Sequence, residues 1–262
     1  RTPPRQRLDF LEQHRELVEQ RDDLCVERIT LYNQLGDYTT ACHLLAERKF
    51  HPWEGGEGKV TGQFVFAHVE KAKQYLSGKQ YEKALHELKL TETYPENLGE
   101  GKLINAEEND VYYWMGCAYE GMGDTQEARR CFEHATKGSA EPAIAFFYND
   151  QLPDKIFYQG LAWRKLDNEA KARSCFHRLI SHGEKHYFDQ VKIDYFAVSL
   201  PDLLIWDDDL TLRNRIHCLL VEGLGHLGLG NREKAQQLLQ EVVSLDINHQ
   251  VAARLLAMCE KR

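Results

Sequence analysis

An alanine returns along this chain at Ala41, Ala84, Ala128, Ala172 and Ala235. Each follows a turn containing Gly, Asp or Asn by a few residues, and each precedes a Leu or Phe by a few more. The steps between them are 43, 44, 44 and 63 residues. A near-constant period of this size marks stacked helical hairpins, where each unit buries its apolar face only against its neighbours. The expected fold is therefore an all-α, right-handed solenoid of antiparallel helix pairs with insertions between the repeats. Such a scaffold points to a binding surface before it points to a catalyst.

The clearest unit runs from Asp110 to Ala135. Tyr112, Gly116 and Tyr119 share a helical face, Gly123-Asp124 break the helix, and Ala128, Phe132 and Ala135 follow. Small residues at Gly116 and Ala128 let two helices cross closely, and Tyr119 and Phe132 fill the space beside the crossing. The same order returns at Gly160, Trp163, Asp167-Asn168, Ala172 and Phe176, and again at Gly223, His226, Gly230-Asn231, Ala235 and Leu239. Two weaker copies carry Tyr75, Gly78, Ala84 and Leu88, and Tyr32, Gly36-Asp37, Ala41 and Leu45. This order resembles the tetratricopeptide repeat, whose plain period is about 34 residues. The excess falls at Phe50–Gln63, Pro95–Glu108, Gly138–Pro153 and Gly183–Asp209. The spacing predicts a single solenoid over 1–262, with helix pairs around 22–48, 65–94, 109–137, 153–181 and 216–245. A helix over Arg5–Gln20 precedes them and a capping helix over 248–262 ends the array.

No apolar run approaches the roughly 20 residues that span a bilayer, so no membrane role is expected. The formal charge is −8 with no long basic run, which argues against a nucleic-acid partner. Seven cysteines without a C-x-x-C pair read as reduced core thiols of a cytoplasmic protein. The start at Arg1-Thr2-Pro3-Pro4, without Met, suggests a piece of a longer polypeptide. There is no G-x-S-x-G elbow, activated nucleophile, cofactor motif or metal-ligand spacing, so no catalytic residue, metal or cofactor is expected.

Binding residues concentrate on loops carried by rigid scaffolds. The insertion from Phe50 to Val60 joins His51, Trp53, Glu54 and Glu57 with three glycines. Two readings stand: a sugar or peptide site with Trp53 as stacking platform, or an indole plugging a gap between hairpins. Asn97, in the second insertion, is expected to close an Asx-type turn. Asp207–Asp209 read as an N-cap with first-turn carboxylates. His182 and His186, four apart, lack the H-E-x-x-H arrangement of a zinc site. The concave face of the solenoid is expected to carry Val69, Lys73, Tyr113, Glu120, Phe157, Leu161, Arg164, Leu220 and Leu224. Tyr113, Phe157 and Arg164 join the loop residues as binding candidates.

The strings His51–Val60, Pro95–Glu100 and Lys192–Phe196, with Asp207-Asp208, resemble the C-terminal region of a family of large bacterial proteins. In these, an N-terminal β-rich domain similar to galactose-mutarotase sandwiches precedes tetratricopeptide repeats. The resemblance implies a carbohydrate-related context. It also implies a non-catalytic interaction module, docking on the upstream domain of the same polypeptide or on a second copy. The alternative is a carbohydrate-active enzyme whose sugar site the Trp53 loop completes.

Overall fold

Five turns of one kind organise the chain. The amide N–H groups of Asp37, Gln80, Asp124, Asn168 and Asn231 donate to the carbonyls of Tyr32, Tyr75, Tyr119, Trp163 and His226, five residues back, each at 2.9 Å. This is the closure of a Schellman motif, which needs a left-handed residue just before the donor. Gly36, Lys79, Gly123, Asp167 and Gly230 supply it, with φ from 56° to 85°. The carbonyl of each donor then accepts from the repeat alanine four residues on. Asp37, Asp124 and Asn168 add a side-chain cap, accepting from the amides of Thr40, Glu127 and Lys171 at 3.1 Å. The five alanines are at most 4% exposed, because each lies where the helix leaving the turn crosses the helix entering it.

The structure, a computed structural model, describes residues 2–53, 55–104, 106–143, 152–191 and 209–260. Among these there is no strand, and the fold is all-α. The turns join α3 (Asp22–Gln34) to α4 (Tyr38–Glu47), α5 (Lys59–Ser77) to α6 (Tyr81–Leu90), and α7 (Asn109–Met122) to α8 (Thr125–Ala135). They also join α9 (Pro153–Lys165) to α10 (Glu169–His186) and α11 (Leu210–Leu229) to α12 (Arg232–Leu245). The expected N-terminal helix is broken at His14 into α1 (Pro4–Gln13) and α2 (Arg15–Val18). α13 (Gln250–Glu260) follows the last pair, with Ala252 and Leu255 buried.

Two compact units divide the chain: Arg1–Ala106 with Val111–Cys131, and Glu107–Asp110 with Phe132–Arg262. In the first unit, α3, α4 and α5 bury Ile29, Ala41, Leu45, Phe64 and Ala67 together with Phe50 and Leu98 from the connectors. A second cluster joins Ala72, Ala84 and Leu88 to Val111, Met115 and Ala118. In the second unit α9, α10 and α11 pack on one another around Phe176, which is fully buried. A Cβ at Gly160 or Gly228 would stand 2.4 or 2.2 Å from the Phe176 ring, so only glycine fits on either side of it.

The boundaries depart from the spacing in three places, one of them the start of α11 at Leu210 rather than near 216. α5 begins at Lys59, inside the stretch expected to be irregular, because Gly58 turns the chain at φ 74° and starts the helix there. α10 continues through His182 and Gly183 to His186.

Candidate functional site

The insertions after α4 and after α6 are clasped together in the first unit. Phe50 N–H donates to Asn97 O at 2.7 Å. Asn97 closes no local Asx turn. Its side-chain amide donates instead to the carbonyls of Leu45 and Arg48, both at 2.8 Å, and so satisfies the end of α4. A 3₁₀ turn at Glu96–Leu98 drops Leu98 into the core, and Gly99 then turns at φ 80°. The Glu100 carboxylate accepts from Gly58 N–H at 3.0 and 3.2 Å, placing negative charge at the N-terminus of α5, where the helix dipole favours it.

The loop candidates sit on this clasp. His51 is exposed, and its amide and Nδ1 both reach the Asp22 carboxylate, at 2.9 and 3.1 Å. Trp53 is half-buried against the core, with Gly56 under its indole. A Cβ at Gly56 would lie 2.1 Å from Trp53 Cε2. Glu57 faces water, and Glu54 lies outside the described residues. Of the two readings of the loop, this geometry matches the packed indole.

The candidates on the first helices of the repeats fare differently. Phe157 is 1% exposed and packs on Phe176 and Tyr158, so it offers no surface to a ligand. Val69, Leu220 and Leu224 are likewise buried, which removes four of the nine residues expected on a concave face. The reason is contact on two sides: α5 packs on α3 as well as its own partner, and α11 packs on α9 and α10 as well as α12. Arg164 is exposed but engaged, pairing with both oxygens of Glu169 at 2.8 and 2.9 Å and donating to Gly228 O at 3.0 Å. Tyr113 is half-buried, edge-on to Trp114. Lys192–Phe196, Asp207 and Asp208 lie outside the described residues, while Asp209 caps α11 by accepting from Leu212 N at 3.0 Å.

A cavity of about 430 Å³ in the first unit is lined by Arg15, Cys25, Arg28, Ile29, Leu44, Arg48 and Lys49, with Glu19 and Glu47. Its three arginines pair with Glu19, Glu12 and Asp22 at 2.5, 2.6 and 2.6 Å, so each guanidinium already has a carboxylate. None of the seven cysteines forms a disulfide. Burial pushes the thiols of Cys42, Cys131 and Cys218 up to about 11, far from thiolate reactivity at neutral pH. Among the described residues no three His, Cys, Asp or Glu side chains are placed to hold a metal ion, and no helix is long and apolar enough to cross a membrane.

Residues 110–137, the α7–α8 pair, match the family model of the tetratricopeptide repeat. That one helix pair is similar to a tetratricopeptide repeat. Repeats of this class generally mediate protein–protein interaction or scaffolding. A solved tetratricopeptide repeat protein from Parabacteroides merdae is 13% identical, aligned over 91% of this chain and 84% of that one, with a TM-score of 0.29. A likeness that loose carries no argument.

Proposed function

We propose that the chain is a non-catalytic interaction scaffold, with its helix pairs acting as one repeat array, in the cytoplasm of a bacterium. It docks on an upstream carbohydrate-related domain of the same polypeptide, or on a second copy of itself. The observation that supports this most is the apolar pair at the exit of the clasp. Leu103 and Ile104 are 50% and 108% exposed, three and four residues after Glu100 is fixed on α5. Two large aliphatic side chains held in water next to an anchored connector are what a protein partner covers.

The sugar-site alternative needs an open indole face, and Gly56 lying against Trp53 speaks against it. The test is calorimetry of this chain against the upstream domain, with sedimentation of the chain alone to detect dimers. Association with either partner, weakened at least tenfold in Leu103→Asp/Ile104→Asp, supports the reading. Absence of both associations, or an unchanged affinity in the double variant, would overturn it.

A further inference from the structure

Three half-buried imidazoles of the second unit make no ion pair with a carboxylate among the described residues. His182 on α10 is half-buried, and its Nε2 has no hydrogen-bond partner among the described residues. Its ring lies 4.6 Å from that of His186 and 6.1 Å, edge-on, from that of His217 on α11. His217 Nε2 sits 2.7 Å from Ala143 O, so this nitrogen carries the proton and donates it. His249 precedes α13, and its Nδ1 accepts from Ala252 N–H at 3.3 Å, which requires an unprotonated nitrogen.

The surroundings are hostile to a second proton. His182 faces His186 and Lys185, and the carboxylate that acts on it, Asp189, is already bound to His186 at 2.6 Å. The strongest charge effects on His217 come from His182, His249 and Arg213, and all three oppose a second proton. His249 feels Asp246 and Asp154, which hold Asn248 N–H at 3.0 Å and Arg254 at 3.4 Å. The buried histidine of the first unit is treated oppositely: His68 Nδ1 meets the Glu87 carboxylate at 2.7 Å, a ready counter-charge.

We propose that His182, His217 and His249 form an acid-sensitive device that loosens the packing of α10, α11 and α13 in mildly acidic solution, while the first unit keeps its protection. Protonating His249 removes the acceptor that caps α13. Protonating His182 or His217 places charge between helices beside other cations.

Burial lowers all three pKa values, that of His217 to about 4, against 6.5 for a free imidazole. The unfolded chain therefore takes up protons below about pH 6.5 that the folded chain refuses, and stability falls from there down to the folded pKa. For His217 alone, the opening equilibrium shifts on the order of tenfold or more by pH 5.

The test is hydrogen exchange of the whole chain at pH 7.5 and 5.0, corrected for the intrinsic pH dependence of exchange. Protection of α10, α11 and α13 should fall at least tenfold, with α3 to α6 changing less than twofold. In His182→Gln/His217→Gln/His249→Asn the fall should vanish, because Gln can still donate to Ala143 O and Asn is a good N-cap. Unchanged protection in the native chain, or the same fall in the triple variant, would overturn the proposal. If that variant does not fold at pH 7.5, the imidazole resonances of the native chain decide: midpoints well below 6.5 support the device, and midpoints at or above 6.5 refute it.

Discussion

The turns inside the helix pairs and the connectors between them solve the same problem in opposite ways. Each turn satisfies the end of its helix within six residues, and all five do so with the same bond at the same length. The connectors, in their described residues, are held by side chains. At each an asparagine side chain donates to the carbonyl end of another helix: Asn97 to Leu45 and Arg48, Asn109 to Ala135 and Lys137, Asn214 to His186. These bonds close over 26 to 52 residues. A periodic fold thus needs a short local code for its turns and side-chain amides placed across the sequence for its irregular joints. The connectors are free to vary in length because their anchorage is a side chain.

This contrast makes predictions that urea unfolding can check. The largest effect belongs to the packed centre that both kinds of joint serve. Phe176→Ala, which empties the space that Gly160 and Gly228 close on, should cost about 4 kcal/mol. Asn97→Ala should cost about 2 kcal/mol, because two helix-end carbonyls lose their donor. A loss there below about 0.5 kcal/mol would mean that the connector is passive, and the comparison would fail.

Asn168→Ala should cost about 1 kcal/mol through its lost cap, whereas Asn231→Ala, at the equivalent turn without a side-chain cap, should stay within about 0.5 kcal/mol. Equal effects at the two positions would show that the backbone closure dominates both turns. Glu100→Gln keeps an acceptor for Gly58 N–H and removes only the charge. The expected loss is about 0.5 kcal/mol, smaller at high salt.

What could be read in advance follows the same division. The left-handed residue, the capping residue and the buried alanine are neighbours in sequence, so the helix pairs were legible from Gly123-Asp124 and Ala128 alone. Asn97 looked like a local turn former because nothing near it reveals that its partners lie 49 and 52 residues away. The same holds for Glu100, which acts on Gly58 across 42 residues. Phe157 was misplaced for a different reason. Helical periodicity gives the face of a residue but not how many neighbours its helix has, and α9 is covered by both α10 and α11. Trp53 stood out by its unusual surroundings, and those surroundings turned out to be its packing partner, Gly56.

The most direct test of the account is amide exchange within the clasp. Phe50 N–H, bonded to Asn97 O, and Gly58 N–H, bonded to Glu100, should exchange as slowly as the closing amides of the repeat turns, Asp124 and Asn168. Exchange of Phe50 and Gly58 at the rate of an open loop, with Asp124 and Asn168 still protected, would contradict it.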